Sequence, residues 1–182
     1  MKSITETYNE LCNTPSDIHE HLPTLATLTA DCNHVTEMGV RWICSTYAFL
    51  QGKPEKLISY DIENPSHWGA DINNVYTLAA TEGIDYSFIQ ASTLEVEIEQ
   101  TDLLFIDTWH VYDQLKSELN LHHHKVNKYI VMHDTTSYCY YGESEGHQGL
   151  WPAIDEFLDE HPEWVLSARY TNNNGLTILI KK

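Results

Sequence analysis

Leu103-Leu104-Phe105-Ile106-Asp107-Thr108-Trp109-His110 is a run of four large apolar side chains halted by an acid. Strict alternation would mark a strand with one wet face. An unbroken apolar run of this length marks a strand covered on both faces, as in a parallel sheet sandwiched between helices. Residues 102–107 are therefore expected to form an inner strand, with the polar side chains that follow at its carboxyl end.

Working outward, the same grammar recurs. Residues 34–40 read as a first strand, followed by a helix opening at Ser45-Thr46 and running through Leu50 to a stop at Gly52-Lys53-Pro54. Residues 57–61 make a second strand closing on Asp61. A helix over 72–81 halted by Gly83 leads to a third strand over 84–91. Beyond the central run, a polar helix over 111–124 precedes a strand at 129–133, and 149–160 is amphipathic, with Trp151, Ile154, Phe157 and Leu158 on one side. Strands at 164–170 and 176–180 flank Thr171-Asn172-Asn173-Asn174-Gly175, a turn-forming sequence that predicts a hairpin. Repeated βα units ending in a hairpin imply an α/β fold, a Rossmann-like three-layer sandwich whose seven-stranded, mostly parallel sheet closes on an antiparallel hairpin. Ser16 looks like the N-cap of a helix running to Ala30, so residues 1–30 are expected as a helical segment packed on the single domain spanning 1–182.

Composition narrows the function. The 182 residues carry a formal charge of −17, with 10 Lys plus Arg against 27 Asp plus Glu, which disfavours a phosphate backbone as partner. Apolar runs fall short of the ~20 residues a membrane span needs, and the first residues contain no apolar signal core, so a cytoplasmic protein is expected. Cys12, Cys32, Cys44 and Cys139 are dispersed and are read as reduced, mostly buried thiols. Three consecutive histidines, His122, His123 and His124, spread around a helix axis, cannot face one ion together and are read as a solvated face. The oligomeric state stays open, a homo-oligomer included.

In such a sheet ligands bind beyond the carboxyl ends of the strands. Asp61 lies 22 residues after Gly39, a spacing that suits a carboxylate gripping ribose hydroxyls, although a strand-end cap would place an acid there too. A lone glycine without GxGxxG gives little support to a nicotinamide site. With strands ordered 3-2-1-4-5, Asp107 would neighbour His133 and Asp134. These three form either a divalent-metal site, for Mg²⁺, Mn²⁺ or another ion, or a set of loop caps around a packed histidine. His110, three residues after Asp107, is the best-placed general base, since a neutral imidazole takes a proton near pH 7, with Asp107 as its partner in catalysis.

The segments Glu37-Met38-Gly39-Val40-Arg41 with Ser45-Thr46, residues 103–112, residues 129–135, residues 149–158 and Asn174-Gly175-Leu176 together resemble class I S-adenosylmethionine-dependent methyltransferases. The variant is that of the macrocin O-methyltransferase and cephalosporin-hydroxylase-like group, and the likeness runs in the right order over residues ~16–182. The resemblance implies S-adenosylmethionine as cofactor. It sets Glu37, Gly39 and Arg41 around the methionine end, with Ser45, Thr46 and Asp107 in the same cofactor site, Asp61 on the ribose, and Gln90, Ala91 and Ser92 at the adenine. It also places Asp107, His133 and Asp134 where related metal-dependent enzymes hold Mg²⁺, and implies a small-molecule methyl acceptor. Two departures stand out: Thr108-Trp109-His110 replaces the family's Gly-Asp-His, and His133 stands where catechol-type enzymes carry an acid. A nucleoside-cofactor-binding module without turnover and a metal-dependent oxidoreductase, like the hydroxylase-named relatives, are the competing classes.

Overall fold

The central apolar run becomes β4 (Thr101–Ile106), and its side chains divide between two cores. Leu103 and Phe105 pack on one face of the sheet, Leu104 and Ile106 on the other, and all four are buried. That is the period-two alternation of a strand, hidden in the sequence because both faces are apolar. The computed structural model describes residues 2–182; Met1 lies outside them.

The elements run α1 (Ile4–Asn13), α2 (Leu22–Thr29), β1 (His34–Met38), α3 (Cys44–Gly52), β2 (Lys56–Asp61), α4 (Ile72–Glu82), β3 (Asp85–Gln90), β4, α5 (Tyr112–His122), β5 (Val126–His133), α6 (Trp151–Glu160), β6 (Trp164–Tyr170) and β7 (Leu176–Lys181). The strands form one seven-stranded sheet in the order β3-β2-β1-β4-β5-β7-β6. The first five are mutually parallel, and β7 enters antiparallel between β5 and β6. The expected three-layer architecture with its terminal hairpin is therefore what the chain adopts. Side chains of α1 to α4 bury against one face and those of α5 and α6 against the other.

Gly175 shows how the hairpin is set. Its φ is +100° and a Cβ there would lie 2.4 Å from the Thr136 hydroxyl, so the turn can press against the β5 end only without a side chain.

Three expectations change. No helix starts at Ser16: its hydroxyl accepts from Ile18 N in a loop, and α2 begins at Leu22, where Pro23 falls in the first turn that proline tolerates. A separate helix, α1, precedes it, opened by a capping box between Ser3 and Glu6. The histidine tract is not a solvated face. α5 ends at His122, whose ring is 2% exposed and reaches the Thr93 carbonyl, and a tightened turn over His123–Lys125 leaves His123 half-buried and His124 outside. The four cysteines are free, but Cys32 alone among them is buried and the others are half-exposed. Among the described residues no helix is long and apolar enough to cross a membrane.

Candidate active site

The sheet changes winding direction between β1 and β4, and a cavity of about 570 Å³ opens there, beyond the carboxyl ends of the strands. Its floor is the turn after β1. Gly39 has φ +86°, and a Cβ on it would sit 1.9 Å from the Asp107 carbonyl oxygen, so backbone meets backbone at the switch point. Arg41 and Ile43 also take left-handed conformations, at φ 40° and 58°, which carries the chain sharply into α3.

Asp61, the last residue of β2, holds this turn in place. Its Oδ2 accepts from Val40 N at 2.8 Å and Arg41 N at 3.1 Å, and its Oδ1 accepts from Glu63 N at 2.9 Å. A carboxylate offers about four lone-pair sites. One on Oδ1 is still free, and Asp61 lines the cavity.

Glu37 stands behind the turn. Alternation along β1 turns it to the α3 face with Val35, and the parallel register sets it beside Ser59 of β2. It is fully buried and accepts hydrogen bonds from the hydroxyls of Ser45 (2.6 Å), Thr46 (2.9 Å) and Ser59 (2.5 Å). Burial pushes its carboxyl up to about 7, against the downward pull of those hydroxyls. Ser45 also borders the cavity, whereas Glu37 and Thr46 lie behind its wall. Arg41 is at the rim, its guanidinium 4.0 Å from the Trp42 ring and 5.1 Å from Trp68, a cation–π stack that no spacing rule signals. Of the three residues expected near an adenine, Ser92 lines the cavity; Gln90 instead donates to the Ile62 carbonyl, and Ala91 does not reach the cavity wall.

The opposite wall is the ends of β4 and β5. His110 Nε2 lies 3.2 Å from Asp107 Oδ1 and 3.0 Å from Asp134 Oδ2, while its Nδ1 lies 3.0 Å from Glu143 Oε2. The ring is stacked on Tyr138 at 4.8 Å. His133 Nδ1 is 3.3 Å from Asp107 Oδ1 and 3.6 Å from Asp134 Oδ2, and its Nε2 faces the Asn173 carbonyl. Asp107, His110, His133 and Asp134 are thus brought together as expected of neighbouring strand ends. Two details differ. The imidazole that shares the cavity with Asp107 and Asp134, all three with ligand-type atoms within 4.8 Å of one another, is His110; the His133 ring is buried behind them. Nor do the surroundings of His110 favour a neutral imidazole. Burial alone would lower its pKa, but hydrogen bonds and charge from Asp107 and Asp134 outweigh this and push it up to about 10; the same balance takes His133 to about 9. Asp107 is held well below the usual carboxylate range by the two imidazoles despite burial.

Asp134 carries the mark of a built site. It sits at φ 59°, and its Oδ1 is buried without a partner. Glu143, from the loop after β5, and Glu118 escaped the sequence reading. Glu118 is fully buried on α5 and accepts from Thr93, Thr108 and Gln114 beneath the cavity. An acid on a polar helix gives no signal of its own.

No protein-family model and no curated protein matches the sequence. Solved structures do match in fold. An O-methyltransferase from Bacillus cereus in complex with S-adenosylhomocysteine aligns over 100% of this chain and 92% of its own, with TM-score 0.69 and 12% identity. A Podospora anserina methyltransferase bound to the same molecule aligns over 100% and 88%, with TM-score 0.64 and 14% identity. A ribosomal protein L11 methylase from Lactobacillus delbrueckii subsp. bulgaricus aligns over 90% and 79%, with TM-score 0.56 and 15% identity. At such identities the likeness establishes the architecture alone, a Rossmann-like three-layer fold.

Proposed function

We propose that the chain is an S-adenosylmethionine-dependent methyltransferase that methylates an oxygen of a small hydroxylated molecule or sugar, in the macrocin O-methyltransferase and cephalosporin-hydroxylase-like group. The observation that carries this reading is Asp61. It closes β2 at the switch point, pins the Gly39–Arg41 turn through two backbone N–H groups, and keeps acceptor capacity to spare at the wall of a cavity large enough for a nucleoside cofactor. The solved structures of the same fold that hold S-adenosylhomocysteine support it.

When bound, the sulfonium cofactor supplies an already activated methyl group, so the protein's work is positioning, charge and proton handling. Asp61 takes a ribose hydroxyl. The N-terminus of α3 has no side-chain cap, and its free N–H groups suit the carboxylate of the methionine end. Asp17, Asp61, Glu63, Asp107, Asp134 and Glu143 line the cavity against Arg41 and His110. That field favours a cationic cofactor and an uncharged or cationic acceptor, and repels phosphorylated or carboxylated ones.

A divalent ion fits the far wall. Two carboxylates, one with an orphaned buried oxygen, and an imidazole are a donor set for Mn²⁺ or Zn²⁺ rather than Mg²⁺, and Asp107, Asp134 and His110 would hold it. It would orient and acidify the acceptor hydroxyl. Without a cation there, His110 keeps its proton and acts as a hydrogen-bond donor. With an ion held there, His110 would give up that proton to coordinate as a neutral imidazole, so it would serve as a ligand and not as a base.

Calorimetric titration with S-adenosylmethionine and S-adenosylhomocysteine tests the assignment. One site per chain is expected; a folded protein that binds neither overturns it. Methyl incorporation with and without chelator then separates the metal-assisted from the metal-free route. Binding without any turnover across neutral and cationic hydroxylated acceptors would instead identify a cofactor-binding module.

A further inference from the structure

The end of the sheet remote from the cavity holds a second cluster of ligand-type side chains. His123 lies in the turn before β5, His161 is the residue that ends α6, and Glu163 immediately precedes β6. One ring nitrogen of each histidine and a Glu163 carboxylate oxygen lie within 4.8 Å of one another. His161 Nδ1 is 3.6 Å from Glu163 Oε1, and the two imidazoles sit 4.1 Å apart at centroid, inclined by 45°. The histidine tract thereby resolves into three roles: His122 turned inward to Thr93, His124 outward, and His123 into this cluster.

Two further observations point to a ligand. The Nδ1 of His123 is buried and has no hydrogen-bond partner, although polar groups so placed are nearly always satisfied. The scaffold is also rigid. Phe157 packs against both rings, His161 N donates to the Phe157 carbonyl, Trp164 N to the His161 carbonyl, and Lys182 N to the Glu163 carbonyl. The nearby cations are engaged elsewhere, Lys181 with Val126 O and over the Trp164 ring, and Lys182 with Pro162 O.

We infer that His123, His161 and Glu163 form a binding site for a divalent transition-metal ion of the zinc class. Two imidazoles and one carboxylate are the ligands zinc accepts, and Mg²⁺ or Ca²⁺ would want oxygen in their place. Metal–ligand bonds of about 2.0–2.2 Å in tetrahedral array set ligand atoms roughly 3.3–3.5 Å apart. The His161–Glu163 pair, at 3.6 Å, is close to that spacing, and the Glu163 side chain, 43% exposed, is free to swing closer. The fourth position opens to water. The ion ties the turn after α5 to the α6–β6 connection, so its role is to clamp that end of the sheet, independently of any chemistry in the cavity.

The test is titration of chelator-treated protein with Zn²⁺ and, separately, Co²⁺, on wild type, His161→Gln and Glu163→Gln. Wild type is expected to bind one zinc equivalent that both variants lose or bind at least tenfold more weakly. Its melting temperature should rise with zinc while that of His161→Gln does not. Cobalt should give a tetrahedral visible absorption in wild type that falls in His161→Gln by the contribution of one bound ion. Glu163 is surface-accessible, so Glu163→Gln remains informative if the histidine variant folds poorly. Any zinc held by Asp107, His110 and Asp134 stays in both variants and does not confuse the count. Unchanged stoichiometry, affinity and cobalt spectrum in both variants, or no zinc bound by wild type, would overturn the site.

Discussion

Glu37 lies in β1 and Asp107 just past the end of the adjacent β4, where its carbonyl meets Gly39. Glu37 is enclosed by three hydroxyls, and burial wins, taking its carboxyl up to about 7. Asp107 meets His110 and His133, and the imidazolium charges win, holding it below the ordinary range. Hydroxyl donors soften the desolvation of a carboxylate; only a cation reverses it. The first carboxyl is thereby suited to bracing a turn, and the second to staying ionised where charge is needed.

The harshest way to break this comparison is to separate the two regions. Gly39→Ala places a methyl against the Asp107 carbonyl and strains a left-handed residue. It should cost on the order of 5 kcal/mol, read as loss of a cooperative melt or of soluble protein. A stable, folded variant would mean that the close approach is not obligatory.

Asp107→Asn comes next. It leaves two buried imidazolium groups short of their shared counter-charge and should destabilise by about 3–5 kcal/mol near neutral pH in denaturant titrations. His110 and His133 have raised pKa values, so their contribution is complete below the ordinary 6.5 and lost as pH rises through about 9 to 10. The penalty of the variant should shrink over that range.

Glu37→Gln should show the same direction with pH over a lower range. A raised carboxyl stabilises the fold fully below 4.5 and loses that contribution as pH climbs through about 7. Wild type should therefore lose stability relative to Glu37→Gln between those limits, by about 3 kcal/mol. Parallel pH profiles for the two proteins would show that Glu37 is not held neutral.

The smallest effect is on binding. Asp61→Ala should weaken S-adenosylhomocysteine by about ten- to hundredfold, ~1.5–3 kcal/mol, in calorimetry. Unchanged affinity would remove Asp61 from the cofactor site and leave it as a brace for the turn alone.

Much of this was legible beforehand where apolar runs ended in acids. Asp61 and Asp107 stand at or just past strand ends, and the short, mostly apolar runs before them read as inner strands. What was illegible involves residues outside any period. Glu143 arrives from the loop after β5, Arg41 folds onto Trp42 and Trp68, and Glu118 hides on the polar-looking helix α5. Left-handed backbone at Arg41, Ile43 and Asp134 has no glycine to announce it.

Taken by itself, the chain determined the order of βα units, the terminal hairpin and the end of the sheet at which acids gather. Burial on two faces is written directly into consecutive apolar residues and turn-forming stretches. The tertiary structure alone decided which imidazole meets the carboxylates in the cavity. His133, as the last residue of β5, is turned by the strand's pleat toward His21, while the loop after β4 brings His110 back over Asp107 and Asp134. Such a return depends on packing between residues far apart in the chain, and no local pattern of side chains encodes it.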